Sequence, residues 1–410
     1  MKKNISILGT LDTKREEVVF IKGIIESRGY STTVIDVGPL GPPLNEPDVS
    51  NEKVAKLAGR ELPELLRFGL RDQIMKSMGE GASRVLLNLF KDGRVDGVIG
   101  IGGNQGTAIA SMGMKVLPIG FPKFIISTVA SGDIRPYVGY KDIGIMFSVA
   151  DLIGGPNSVT GPILLNAVSA LLGMVEHGER ISLQKGDNKI AISALGNTQP
   201  AVDHAMELLR EKGFQVIAFH ASGAGGSAME ELIEEGVFHG VLDLTPHELT
   251  EEVVEAGVYV PIRPGRLTSA GRLGIPQVVS LGGMEYLCFG PKESIPFKFR
   301  RRRIHMHNPY NANVKLSRSE MAKVGRTMAN RLNEANGPSA VLVPLRGWSV
   351  YGAEGGPFHD SKAYEIFVQV LRSNLKKSVQ FEEIDAQIND PVFVDSCVKI
   401  LLNFIGGEKN

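Results

Sequence analysis

Cysteine is scarce: Cys288 and Cys397 are the whole complement of a 410-residue chain. Two thiols build no disulfide scaffold and fit a reducing compartment. Neither comes with the His or Cys spacing of a zinc site. Tryptophan occurs once, and net charge is missing, 45 basic residues standing against 45 acidic. A neutral balance supplies no field to hold nucleic acid or a membrane surface. The dense basic run at 300–303 reads as a solvated strand end. No apolar run approaches the roughly 20 residues that a bilayer span needs. Met1-Lys2-Lys3-Asn4-Ile5 enters a strand-like run at once, which leaves no room for a signal peptide. A soluble cytoplasmic protein is expected, long enough for two or three domains.

Glycine is abundant instead, at 48 residues, and it collects where strands end. Residues 96–107 run Asp-Gly-Val-Ile-Gly-Ile-Gly-Gly-Asn-Gln-Gly-Thr, a Val/Ile strand that stops in glycines just before a helix start. Glycine lets a ligand approach the backbone, and the free N–H groups and dipole of a helix N-terminus favour negative charge. A phosphate-bearing ligand is the expectation here. The stretch is no P-loop, since no Lys precedes Thr107, and no dinucleotide fingerprint, since it does not follow the first strand. It lacks a cation of its own. The first strand, 5–8, ends in Asp12-Thr13-Lys14, on the same rim of a parallel sheet. Lys14 can supply the charge there, and Thr13 a hydroxyl for phosphate or a magnesium-bound water. Asp36 closes the second strand, where a carboxylate often meets a ribose. Arg71, in a helical stretch over 54–89, reads on its own as a surface arginine.

After a polar linker at 185–188 the pattern restarts. Strand 189–195, helix 201–212, strand 214–219 and a Gly-rich loop at 220–227 follow in the order of the first half. Residues 240–245 take the place of 97–102, and 273–280 mirror 119–127. Such agreement implies an internal duplication: two α/β units, 1–184 and 189–410, each a parallel sheet with helices on both faces. Ligands of such sheets sit beyond the carboxyl ends of the strands. In the second half that rim gathers His220, Asp243, Thr245, His305 and His307. A His with an Asp can perform acid–base chemistry. His305 and His307 alternate along a strand and so face one side, as metal ligands do. No third ligand accompanies them, and no metal is expected. Trp348 reads as packing and Asp133 as a cap.

Seven stretches carry a resemblance: Gly9-Thr-Leu-Asp-Thr-Lys14, Gly100-Ile-Gly-Gly-Asn-Gln-Gly-Thr107, Ile126-Ser-Thr-Val-Ala-Ser-Gly132, Phe219-His-Ala-Ser-Gly-Ala-Gly-Gly226, Val241-Leu-Asp-Leu-Thr245, Ala270-Gly-Arg-Leu-Gly-Ile-Pro-Gln-Val-Val-Ser280 and Ile388-Asn-Asp-Pro391. Together they resemble a family of uncharacterised microbial proteins, shared with the N-terminal ATP-binding domain of a plant tobamovirus-resistance protein. The resemblance runs from residue 5 to about residue 404. It implies two Rossmann-like parallel-sheet domains, a homodimer, and ATP, accompanied by magnesium, on the first domain. Carried onto this chain, the implied nucleotide contacts are Asp12, Thr13, Lys14, Arg71, Asn104, Gln105, Gly106 and Thr107. This chain departs from the family pattern in having Asn104-Gln105 where Ser-Gly is usual. It also lacks the lysine that the plant relative carries after the second strand, and its turn at 194–200 is Ala-Leu-Gly-Asn-Thr-Gln-Pro rather than one with Phe-Gly-Val-Thr-Thr-Pro.

An ATP-binding protein is therefore the leading expectation. The alternative is an enzyme acting on a small carboxylated or phosphorylated metabolite between the halves, worked by His220, Asp243 and His305 or His307. A dinucleotide-binding oxidoreductase ranks third, because the first strand lacks the glycine fingerprint.

Overall fold

The structure is a computed structural model that describes residues 2–40, 47–181 and 188–406. The expected linker at 185–188 lies outside the described residues except for Asn188, and so do residues 41–46. The chain divides into two compact units, Met1–Ser182 and Leu183–Asn410.

In the first unit, strands β1 (Asn4–Gly9), β2 (Ser31–Asp36), β3 (Gly97–Gly102), β4 (Lys123–Ser127) and β5 (Gly144–Phe147) form one sheet in the order β2-β1-β3-β4-β5. All its pairings are parallel. Helices cover both faces: α1 (Arg15–Ser27), α2 (Asn51–Leu57), α3 (Leu62–Phe68), α4 (Arg71–Lys91), α5 (Asn104–Met114), α6 (Arg135–Val138) and α7 (Thr160–His177). Because successive side chains of a strand point to opposite faces, Ile7 joins the core under α1 and α7 while Leu8 joins the one under α4 and α5. A sheet buried on both sides needs near-continuous apolar strands, which is why the runs at 5–8 and 97–102 were legible. The expected helical stretch over 54–89 divides into three helices. The chain turns at Gly59, whose φ is +77°, and again at the extended Gly69. The second break makes Arg71 the first residue of α4.

The second unit has its own six-stranded parallel sheet, made of β6 (Lys189–Ala194), β7 (Gln215–His220), β8 (Gly240–Asp243), β9 (Gln277–Val279), β13 (Ser339–Pro344) and β14 (Val379–Ile384). Its order, β14-β13-β9-β8-β6-β7, repeats that of the first unit and adds one strand. The shared order is the duplication in structural form. Between β9 and β13 the chain inserts a three-stranded antiparallel sheet of β10 (Tyr286–Phe289), β11 (Ile304–Asn308) and β12 (Asn311–Lys315). Helices α8 (Gln199–Glu211) and α14 (Pro391–Gly406) pack on one face. The other core takes in α10 (His247–Val254), α12 (Arg318–Leu332) and α13 (Ser361–Asn374), together with the inserted sheet. The two remaining helices are α9 (Ala224–Glu234) and α11 (Ser269–Leu273). Among the described residues, no helix is long and apolar enough to cross a membrane.

Candidate functional site

In a doubly wound sheet ordered 2-1-3-4-5, the connections after the first and third strands leave in opposite directions and open a crevice at the carboxyl end. In the first unit these are the loops after β1 and β3, the two stretches singled out for anion binding. They touch: a Cβ on Gly106 would lie 3.6 Å from the Thr10 side chain. A Cβ on Gly102 would lie 2.6 Å from the Gly106 Cα, so only glycine lets the strand fold back on the helix start. No side chain caps α5, and its first N–H groups have no intrahelical acceptor.

The β1 loop is a tight turn. The Thr10 carbonyl accepts from the N–H groups of Thr13 at 3.0 Å and Lys14 at 2.8 Å. The hydroxyls of Thr10 and Thr13 lie 2.9 Å apart. Asp36 supports this turn from beneath. One of its oxygens accepts from Leu11 N at 3.1 Å and Gly38 N at 2.9 Å, and burial pushes its carboxyl up to about 6 despite those bonds. At 1% exposure it shapes the loop and is not placed to meet a ribose. Asp12 accepts from Leu40 N at 3.0 Å and from the Thr13 hydroxyl at 3.2 Å. Lys14 is different in kind. It is only 9% exposed, yet its side chain makes no hydrogen bond or ion pair among the described residues.

Arg71 does reach the glycine turn. The Gln105 carboxamide, oriented with its oxygen toward the guanidinium, accepts from Arg71 Nε and Nη2. Asn104 accepts from the Tyr137 hydroxyl at 3.1 Å. Thr107 has no free group to offer. Its hydroxyl meets Ser127 Oγ at 2.7 Å and its N–H donates to the Gly103 carbonyl at 2.9 Å. It braces the turn from inside.

The second unit divides the residues expected on its rim. His220 and His307 line one small cavity of about 190 Å³, with Asn197, Tyr259, Tyr286, Cys288 and Tyr351. Asn197 donates to the Tyr286 hydroxyl at 2.6 Å, while its own buried amide oxygen has no partner among the described residues. His307 Nδ1 meets the Tyr351 hydroxyl at 2.8 Å. His305 is beside that tyrosine too, ring centroids 4.7 Å apart, but it does not line the cavity.

Asp243 is elsewhere in its chemistry. Its two oxygens accept from Arg266 at 2.6 and 3.0 Å, and the same guanidinium binds Glu248 at 2.7 Å and Glu230 at 3.2 Å. Arg266 is 1% exposed; a buried cation must be surrounded by acceptors, so Asp243 is a counter-ion rather than a base. Thr245 is likewise turned inward, its hydroxyl 2.8 Å from that of Thr198. The Gly-rich loop after β7 is filled from within as well. Glu248 accepts from Gly223 N at 2.6 Å and Gly226 N at 3.0 Å, which leaves no room there for an outside anion.

Sequence reasoning missed the polar cluster at the edge of the cavity. His247 Nε2 lies 3.3 Å from Glu251 Oε1, and one donor atom each from His247, Glu251 and Cys288 fall within 4.8 Å of one another. The His-x-x-x-Glu spacing on a helix was a signal; Cys288, on an unforeseen strand, completes it from far along the chain. Trp348 packs as expected, stacked on Tyr364 at 4.5 Å. Asp133 is not the N-cap of α6, which is Ile134; it accepts from Arg135 N at 3.1 Å and pairs with the Arg135 side chain. In the basic run, Arg302 is paired with Glu320.

Comparison with known proteins gives these residues a family context. The N-terminal domain pattern of the uncharacterised protein family UPF0261 matches residues 3–180, and its C-terminal domain pattern matches 187–405. A UPF0261 protein of Clostridium tetani is 40% identical over 99% of this chain and 100% of its own length. One from Rhizobium meliloti, RA0729, is 34% identical over 97% and 98%. The ToMV susceptible protein tm-1(GCR26) of Solanum lycopersicum is 32% identical over 96% of this chain, which spans 55% of that longer protein. Among solved structures, UDP-GlcNAc 2-epimerase from Neisseria meningitidis bound to UDP-GlcNAc aligns over 68% of this chain and 82% of its own, at 11% identity and a TM-score of 0.21. A likeness that low carries no argument.

Proposed function

The chain belongs to the uncharacterised protein family UPF0261, and from that premise we propose that its first unit binds ATP, with magnesium, at the β1/β3 crevice. The observation that carries the reading is Lys14: a nearly buried ammonium without a counter-ion among the described residues. Burying a cation unpaired is costly, and a triphosphate supplies the missing charge. Three further features agree with it. The uncapped N-terminus of α5 favours an anion. The glycines after β3 open the backbone to close approach. Arg71, held beside the turn by Gln105, adds a second cation. Thr13 and Asp12 offer oxygen to a magnesium-bound water.

Calorimetric titration of the whole chain with ATP and magnesium tests the reading. Saturable binding is expected, weakened about 10- to 100-fold in Lys14→Ala, as for losing a charge-assisted hydrogen bond. No binding at millimolar nucleotide, or equal affinity in the variant, overturns it.

A second reading rests on the cavity of the second unit. His220, His307, Tyr259 and Cys288 converge on a space of about 190 Å³, beside an Asn197 oxygen that lacks a donor among the described residues. That arrangement suits chemistry on a small polar metabolite, carboxylated or phosphorylated. Loss of turnover in His220→Ala across an activity screen is the expected sign. Equal rates on every substrate remove that role.

A further inference from the structure

We propose that the second unit carries a transition-metal site of the zinc class, ligated by His247 Nε2, a Glu251 oxygen and Cys288 Sγ. His247 and Glu251 lie one helical turn apart on α10 and so share a face; β10 brings Cys288 to them. The donor atoms all lie within 4.8 Å of one another, close enough for small side-chain shifts to bring them onto one ion. An imidazole, a carboxylate and a thiolate suit zinc or a neighbouring first-row ion rather than magnesium or calcium.

The surroundings hold these donors as ligands are held. His247 Nδ1 meets the Gly283 carbonyl at 2.5 Å; since a carbonyl only accepts, Nδ1 donates to it, and Nε2, which faces Glu251, is the ring nitrogen left to ligate once its own proton is released to water. Glu251 is fixed by two backbone donors, Cys288 N at 2.6 Å and Tyr259 N at 2.5 Å. Gly257, at φ +119°, leaves the space this carboxylate fills, for a Cβ there would collide with both Glu251 oxygens.

Three protein ligands leave one position open, the arrangement of catalytic rather than structural sites. Cys288 also lines the cavity that His220 and His307 share, so the open position faces it. On binding, the Cys288 thiol releases its proton to water and the metal takes the thiolate. A substrate oxygen or a water then completes the coordination. This deepens the second reading above, and it is read separately from turnover.

The test is a titration of the whole chain, freed of metal by a chelator, with cobalt(II). A thiolate-to-cobalt charge-transfer band is expected, abolished by added zinc. Cys288→Ser should lose the band, and His247→Gln should bind at least roughly tenfold more weakly. Cys397→Ser, which removes the thiol buried in α14, should keep the band. Circular dichroism confirms that each variant is folded. No thiolate band in the wild type, or its persistence in Cys288→Ser, overturns the proposal. Cobalt bound at Cys288 without turnover in any screen supports the metal site and counts against the second reading.

Discussion

Single residues divide here into those that are satisfied and those that are not. Asp36 is satisfied twice through one oxygen, yet burial holds its carboxyl near 6, above its ordinary 3.8. A raised folded value means that the native state binds more protons than the unfolded one. Its contribution is full below pH about 4 and is lost as pH rises through about 6. A rise of that size corresponds to about 3 kcal/mol at most. Asp36→Asn keeps an oxygen for both N–H groups and does not ionise. Urea unfolding at pH 4.5 and 7.5 should therefore show a variant that gains on the wild type by up to about 2 kcal/mol between the two; equal pH slopes would contradict it. Arg266 is the opposite case, a buried cation holding Asp243, Glu248 and Glu230 together. Arg266→Met leaves three buried carboxylates uncompensated and should lose about 3–5 kcal/mol by the same measurement. The sequence marked Asp243 correctly as a strand-end carboxylate. Its partner was invisible, because nothing local couples it to an arginine 23 residues on.

Among elements, the turn from β3 into α5 is the one whose geometry depends most narrowly on residue type. A Cβ at Gly102 meets the backbone of Gly106 at 2.6 Å, whereas one at Gly103 has nothing nearer than Thr128 Oγ1 at 3.6 Å. Gly102→Ala should thus cost about 1–3 kcal/mol of stability and reduce nucleotide affinity, while Gly103→Ala is tolerated. Thermal melts with and without ATP read both effects. This element was legible in the sequence, since an apolar run, glycines and a helix start follow one another without interruption. The inserted sheet was not. Of its strands only β11 was anticipated; β10 and β12 are short, and the alternation of Ala312 and Val314 with polar neighbours in β12 gives just two apolar positions. Missing β10 meant missing Cys288 as a partner of His247. The Gly-rich loop after β7 lies where its glycines suggested, but its N–H groups are taken by Glu248 of the same unit.

For the whole molecule, the two units share one strand order, to which the second adds a strand. In the first unit one of the two touching switch-point loops carries a nearly buried lysine with no partner among the described residues. In the second, acidic and basic side chains have closed the loops on themselves, and the cavity has moved toward the inserted sheet. Each unit has cores on both faces of its own sheet. A chain ending at Ser182 should therefore fold and keep its Lys14-dependent affinity for ATP, as calorimetry on the truncated chain would show. The central claim is tested most directly by a crystal structure of the whole chain soaked with a non-hydrolysable ATP analogue and magnesium. Phosphate density is expected at the N-terminus of α5, within hydrogen-bond reach of Lys14 Nζ. Density elsewhere, or Lys14 turned onto a protein carboxylate with the crevice empty, would contradict it.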